Sequence, residues 1–319
     1  MPQPTVSDVH VDAILTSLSV AYIQSQTNFV SNQVFPQIPV EKQSDKYFVY
    51  TKGDWFRDEA EVRAPASPSA GSGYTLSTST YNALVYAFHK DVDDQTRANS
   101  DSPLSPDRDA TTFITQRMLL RQEIQWTSDF FTTSVWATDK VGGTDFTKWS
   151  SYAASDPIED VEAGKQAILD STGMMPNTLV LSYSVYRQLR NHPDIIDRIK
   201  YTSSNTVDTA TIARLLGVDR VLVSRAVKNS ANEGATVSMG SIAGKNALLC
   251  YVAPSPGVLT PSAGYTFTWR GVSDGMGQTV GVSRFRMPEL RSDRIESQMA
   301  WDNKVIGTDL GYFFSNAVA

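Results

Sequence analysis

Apolar residues recur at near-helical spacing over residues 8–23, at Val9, Val11, Ile14, Leu15, Leu18 and Val20, with Ser7 or Asp8 as the N-cap, and this predicts a short first helix. Residues 27–40 carry Phe29, Val30, Val34, Phe35 and Ile38, yet Pro36 and Pro39 forbid a continuous helix because proline lacks the amide donor and crowds the preceding turn. This stretch reads as an extended apolar arm. It cannot complete a core alone, so it lies along its own domain or a neighbour.

Aromatic and β-branched content predicts strands over 47–51 and 80–92, each bounded by turn-rich sequence. Between them lie Asp54, Trp55, Phe56, Arg57, Asp58 and Glu59, and then residues 64–73, mostly Ala, Pro, Ser and Gly, which cannot build a core. A paired ribbon with a pliable tip fits this texture. Next, Ser105, Pro106 and Asp107 supply a cap, an N1 proline and an acid suited to the helix dipole, opening a helix that runs without Gly or Pro to about residue 133. Ala110, Phe113, Ile114, Met118, Leu120, Ile124, Phe130 and Phe131 favour one side of it. At 1.5 Å per residue such a helix spans roughly 40 Å, enough to serve as the backbone of an elongated subunit.

Residues 139–155 read as a Gly, Ser and Thr linker, after which helices and strands alternate. Helices are predicted over 158–171, 183–191, 195–201 (restarted by Pro193) and 209–216 (stopped by Gly217), with strands over 178–181, 220–224, 246–252 and 265–270. The pattern then returns to strands over 282–287, 291–300 and 310–314. Arg284, Arg286, Arg291 and Arg294 alternate along these strands, which places their charges on one face, with Val282, Phe285 and Met287 taking other directions. No fixed-length repeat runs through the chain, which argues against solenoids and propellers.

With 41% hydrophobic residues over 319 positions, the chain can supply a substantial core. Its 28 Lys and Arg against 34 Asp and Glu leave a net charge of -6, so no broad basic surface of the nucleic-acid-reading kind is expected. Weak contact with packed phosphates is compatible with that balance. The one cysteine, Cys250, sits in an apolar run and behaves as a small buried hydrophobe, so no intrachain disulfide forms. Residues 1–10 carry no basic residue and no apolar signal core, and no stretch approaches eighteen uninterrupted apolar residues, so neither an export signal nor a membrane span is expected.

Catalytic chemistry is sparse. His10, His89 and His192 are widely spaced, and no paired cysteines or H-E-x-x-H offer a metal cage, so no metal or cofactor is expected. Residues 241–246 resemble a phosphate loop only in Gly244 and Lys245, and a turn before a strand accounts for them. The glycines of 274–281 precede a strand rather than a helix, which suits a β-turn or loop. Asp156, Glu159, Asp160 and Glu162 fall in the first turn of a predicted helix and read as capping acids. Asp91, Asp93 and Asp94 lack the downstream Gly and Glu of a calcium loop; a solvated strand end is the reading, with an interface cation as the alternative. His192, beside Pro193, reads as a cap or surface residue, although a distant serine partner stays open.

The order of arm, long two-stranded excursion, unbroken helix, α/β domain and returning strands resembles the major capsid (coat) protein family of tailed bacteriophages over nearly the whole chain. Residues 173–182 with the helix after them look like that family's Pro-Asn turn, buried strand and following helix, and residues 213–226 look like its next helix, Gly and strand unit. The resemblance implies an α+β phage major-capsid fold: N-terminal helix and arm over 1–40, extended β-loop over 41–95, a peripheral domain with spine helix over 96–150, a mixed α/β axial domain over 151–275, and C-terminal strands over 276–319 returning to the peripheral domain. It also implies a non-enzymatic subunit, assembled in the host cytoplasm into pentamers and hexamers of an icosahedral shell around double-stranded DNA. Its partners would be copies of itself, a portal, a decoration protein and packaged DNA, with no membrane. Barely two dozen residues precede Thr27, too few for a fused scaffolding segment, so a separate scaffolding protein is expected, the Met1 start arguing against one cleaved from a longer precursor. Trp55, Phe56, Arg57, Asp58 and Glu59 are candidate inter-subunit contacts, because aromatics with Arg anchor interfaces and charge pairs fix register; a Trp buried against the ribbon's own base is the equal alternative. Arg284, Arg286, Arg291 and Arg294 are candidates for pairing with acids across subunits, against a solvated strand face. An encapsulin-type nanocompartment subunit shares this fold and remains an alternative, as does an uncharacterised enzyme; the long helix argues against a tail-tube protein.

Overall fold

Two five-stranded sheets divide the chain in the computed structural model, which describes residues 24–100, 104–200, 207–257, 259–272 and 281–319. The predicted helix over 8–23 and all but the last residue of the glycine-rich 274–281 lie outside these. In chain order the arm forms α1 (Ser31–Val34) and β1 (Gln37–Val40), and the ribbon forms β2 (Ser44–Tyr50), the short α2 (Lys52–Trp55) and β3 (Leu76–Asn82). Then come β4 (Leu84–Asp93), α3 (Asp94–Ala98), the long α4 (Pro106–Phe130) and β5 (Thr138–Val141). The mixed region holds α5 (Pro157–Thr172), β6 (Thr178–Ser182), α6 (Tyr183–Arg190), α7 (Pro193–Ile199), α8 (Thr209–Leu215) and β7 (Arg220–Ser224). A small hairpin, β8 (Val227–Asn229) with β9 (Met239–Ser241), precedes β10 (Ala247–Cys250), β11 (Gly264–Trp269), β12 (Gly281–Met287), β13 (Ser292–Val305) and β14 (Gly311–Ser315).

The sheet β5-β14-β10-β6-β7 is buried on both faces, and strict alternation sorts its side chains. Leu179, Leu181, Ala247, Leu249, Tyr312 and Phe314 turn to one side, where they pack with Ile158, Val161 and Ile168 of α5 and with Val185, Leu189 and Ile212. Val180, Leu248, Cys250 and Phe313 turn to the other, against Val30, Val34 and Phe35 of the arm and Trp126 and Phe130 of α4. The arm thus closes one face of the mixed sheet. It also continues the second sheet, where β1 lies parallel to β11.

In that second sheet β13 is central: β4 pairs along one edge, β12 and then β11 along the other. α4 lies across it with a buried stripe at every fourth residue, Ala110, Ile114, Met118, Gln122, Trp126 and Phe130. Phe113, counted on the apolar side from sequence, is 41% exposed, because the stripe drifts around the helix and leaves that position at its margin.

Three expectations are corrected. The predicted strand over 80–92 is two strands: at Ala83, whose amide donates to the Gln43 carbonyl at 2.8 Å, the chain leaves the ribbon and enters the second sheet. Residues 139–155 are no linker, since β5 pairs with β14, and Trp149 is fully buried, its indole N–H donating to Asp160 at 2.7 Å. The C-terminal strands do not all return to the long-helix body: β12 and β13 do, whereas β14 sits between β5 and β10. Small and polar residues hide β5 because its pairing partner comes from the far end of the chain.

Glu123, fully buried on α4, ties these parts together. One carboxyl oxygen accepts from the amides of Val30 (2.9 Å) and Ser31 (2.8 Å), which are orphan donors at the start of α1, and the other accepts from the Ser224 hydroxyl (3.0 Å) at the end of β7. Burial pushes its pKa above the usual glutamate value of 4.5, against the pull of these hydrogen bonds. Because the folded-state pKa is the raised one, the contribution is fully present below the ordinary glutamate range and is lost as pH rises through the folded value. Glu123→Ala, which strands two buried amides, is expected to cost roughly 2–5 kcal/mol in denaturant unfolding. Glu123→Gln, whose carbonyl can accept both amides while its NH2 donates to Ser224, should stay near the parent and flatten the fall of stability above the glutamate range.

Candidate functional site

Strands β2 and β3 pair from Ser44 with Asn82 to Tyr50 with Leu76 and form a two-stranded ribbon, with no third strand among the described residues. At its root Tyr47 and Tyr81 pack on Phe267 of β11, but farther out the ribbon buries neither face fully and leaves large side chains in solvent. Phe48 is 61% exposed, Phe56 65% and Tyr74 62%. Tyr50, Trp55 and Tyr74 make a three-ring cluster at the neck of the excursion, with centroids 5.7–6.0 Å apart. Asp54 latches the neck by accepting from the Thr75 amide at 2.7 Å, and that bond is the main reason its pKa falls below the usual aspartate range.

Trp55 therefore packs on the ribbon's own aromatics and still shows over half its surface. Phe56 lies against Gly173, the left-handed residue that ends α5. Arg57 pairs with Asp54 at 3.4 Å and Glu59 at 3.8 Å, whereas Asp58 is exposed and has no ion pair among the described residues. Lys52 pairs with Asp309, pinning the root of the excursion to the turn before β14. Tyr50 and Tyr74, which complete the cluster, were not singled out from sequence. Their only signal is a position immediately flanking the turn-rich stretch.

The four C-terminal arginines do not share one face. Arg284 and Arg286 stand opposite Ile295 and Asp293, and Ile295 packs on α4, so these two lie on the helix side together with Val282. Arg294 stands opposite Phe285 and Asp91, on the other side, and Arg291 occupies the turn at φ 45°. The 3-10 turn at Pro288–Leu290 breaks the period-two count on which a shared face depended.

For three of them the acids come from within the chain; Arg291 has none among the described residues. Arg294 grips Asp91 with two bonds, 2.7 and 2.9 Å; Arg286 meets Asp94 at 2.7 Å and Asp293 at 3.3 Å; Arg284 meets Asp293 and, at 3.5 Å, Asp107. Arg97 adds Asp107 at 2.8 Å and Asp293 at 3.0 Å. This network joins α3, the start of α4, β12 and β13, where the apolar core has thinned to Val92, Ala110, Ile114 and Ile295. Asp91 and Asp94 answer to Arg294 and Arg286, and Asp93 caps α3 through the Thr96 amide at 2.7 Å.

The remaining polar candidates are structural. Asp156 caps α5 by accepting from the amides of Ile158 and Glu159 at 3.1 Å each, while Asp160 serves Trp149 and Glu162 pairs with the buried Lys165 at 2.7 Å. His192 caps α7 but is wholly buried, not a surface residue, and lies 3.0 Å from Ser155. Ser155 donates its one hydroxyl proton to the Ser151 carbonyl at 2.8 Å, so its oxygen accepts from His192 Nε2, while Nδ1 accepts from the Asp194 amide. A general base needs the opposite polarity. Burial also pushes the His192 pKa down. Among the described residues no helix is long and apolar enough to cross a membrane.

No family model matches the chain. Its fold is that of the phage capsid shell proteins. It superposes on a phage-related protein of Bordetella bronchiseptica RB50 (TM-score 0.66, 24% identity, 92% of this chain and 94% of that one). The capsid protein of cyanophage P-SCSP1u matches as well (0.62, 10%, 98% and 95%), as does an encapsulin complex of Synechococcus elongatus PCC 7942 (0.56, 14%, 96% and 95%). Two proteins named major capsid protein align from end to end: that of Burkholderia phage BcepMu is 24% identical over 310 residues, covering 96% of each chain, and that of Pseudomonas phage JBD67 is 27% identical over 322 residues, covering 97% of each.

The charge network sets an acid limit on stability. Chiefly through its bond with Arg284, the Asp293 pKa is lowered from 3.8 to about 2. Its contribution is present above the ordinary aspartate value and is lost as pH falls from there through about 2. A melting-temperature series across that window should fall steeply for the parent and less steeply for Asp293→Asn; equal slopes would remove Asp293 from the account.

Proposed function

We propose that this chain is the major capsid protein of a tailed bacteriophage, which assembles in many copies into the icosahedral head shell around double-stranded DNA. The observation that carries it is end-to-end alignment with two phage major capsid proteins on a phage capsid fold. The subunit is a virion component, and it works by surface complementarity rather than by turnover. In this reading residues 41–95 are the extended loop, the region around α4 is the peripheral domain, 151–275 is the axial domain meeting its copies at the centres of pentamers and hexamers, and β12 and β13 return to the peripheral domain.

An exposed ribbon rich in aromatics suits such assembly, because surface of this kind is costly in water and gains from a partner. Trp55, Phe56, Arg57, Asp58 and Glu59 are its contact residues toward a neighbouring subunit. Arg284, Arg286 and Arg294, matched to acids within the chain, contribute at an interface only by exchanging or sharing those partners, whereas Arg291 has no acid partner among the described residues and contributes directly. A separate scaffolding protein, a portal and a decoration protein complete the partner set. The encapsulin likeness, at 14% identity, concerns the fold; full-length likeness to phage proteins favours the viral shell.

Negative-stain microscopy with sedimentation, on the chain expressed alone and with a neighbouring scaffold gene, is the test. Closed shells or rings of five and six are expected, and a stable monomer under both conditions would overturn the reading. Deleting residues 64–73, an exposed stretch outside every core cluster, should leave a folded subunit with unchanged melting but few or no shells. Normal shells from that deletion would contradict the role given to the ribbon.

A further inference from the structure

One face of α4 carries cations without acids. Phe113, Arg117 and Arg121 follow one another at four-residue spacing, so they stack along the helix, and Lys90 reaches them from β4. Arg117 lies 5.1 Å and Lys90 5.5 Å from the centre of the Phe113 ring, and Arg121 lies 5.2 Å from that of Tyr86. Tyr86 in turn stacks on the buried Trp301 at 4.2 Å, so Arg121 caps a fixed column of rings. A cation held over a ring is positioned while N–H donors remain for an anion; Arg121 commits one of its own, Nη2, to Gln125 Oε1 at 2.8 Å.

The contrast with the rest of the sheet gives this stripe its meaning. Arg97, Arg284, Arg286 and Arg294 each have a carboxylate partner, whereas Lys90, Arg117 and Arg121 have none among the described residues. Period-two alternation turns Asp91 and Asp93 of β4 to the face away from Lys90, and no acid stands three or four residues from Arg117 or Arg121 on α4. In a chain of net charge -6, three cations in a row without an acid partner among the described residues form a local positive line.

We infer that Lys90, Arg117 and Arg121 form a sequence-independent contact for the phosphate backbone of double-stranded DNA, a role that would place this face of α4 on the inner side of the shell. The inference rests on the capsid reading above and names the surface that meets the enclosed genome. DNA presents one charge per about 1.7 Å of its axis, and four residues of helix advance about 6 Å, so the stripe meets several phosphates at once without reading bases. Three contacts give weak, salt-labile binding. That suits a wall which must touch DNA during filling without trapping it.

The test is fluorescence anisotropy of a labelled double-stranded oligonucleotide with the unassembled full-length chain across a salt series. Three phosphate contacts predict a log–log salt slope of about -2.7, or about a forty-fold loss of affinity between 50 and 200 mM salt. The triple variant Lys90→Gln, Arg117→Gln, Arg121→Gln should lose most of the binding and the slope, while Arg117→Lys with Arg121→Lys, which keeps the charges, should retain both. Arg187→Gln with Arg190→Gln removes two exposed arginines of α6, on the mixed-sheet side of the molecule, and should leave DNA binding unchanged. Equal loss in that control, or unchanged binding in the triple variant, overturns the assignment. So does tighter binding of polyglutamate than of DNA, which would make the stripe a dock for an acidic protein segment. Microscopy of the same proteins separates the two readings: a parent that forms shells yet fails to bind DNA removes the stripe and leaves the shell.

Discussion

A carboxylate buried without a cation beside it is costly, and in this chain Glu123 stands where three parts of the molecule meet. Its two oxygens accept from the start of the arm helix and from the end of β7 while its own backbone belongs to α4. Those bonds close donors that would otherwise be stranded in the core, the condition under which a buried polar group is tolerated. The mixed sheet, the arm and the long helix are thereby held in one register. Apolar packing around the joint is extensive but non-directional: Phe35 lies against Trp126, Phe130 and Trp136 and would tolerate small slides of the arm. Two amide bonds to one carboxyl oxygen would not.

From that joint the molecule extends in two directions with different physics. Toward the mixed sheet it is a layered core, with side chains sorted by alternation to α5 and α6 on one face and to the arm on the other. Toward the far end of α4 the core thins to a few residues, Val92, Ala110, Ile114 and Ile295, and ionic contacts among α3, β12 and β13 take over. Such contacts are individually weak in water and can exchange partners. An end held by charges can adjust as its surroundings change, and the outer part of the excursion, with Phe48, Phe56 and Tyr74 in solvent, likewise leaves its surface to be matched by a partner.

Much of this was legible locally. Pro106 and Asp107 open α4, Pro193 restarts a helix at α7, and Gly217, in the left-handed region at φ 57°, ends α8, because capping and backbone restriction act within a few residues. The excursion was legible too, since residues 64–73 cannot build a core in any context. What failed did so for want of a partner. Thr138–Val141 is polar and short, and becomes a strand only because β14 arrives beside it; the stretch over 80–92 reads as one strand until Ala83 shows it serving two sheets.

The sequence by itself determined the order of elements, the mixed α+β class, the projecting ribbon and the aromatic residues it displays, all of them consequences of periodicity and of where Gly and Pro permit the chain to turn. Only the tertiary structure decided which charges are matched. Glu123 is one acid among many on a helix until Val30, Ser31 and Ser224 close around it, and Arg294 differs from Arg117 only because Asp91 stands opposite one and no acid beside the other. Electrostatic roles depend on distances of a few ångströms between residues far apart in the chain, and no local pattern encodes such distances.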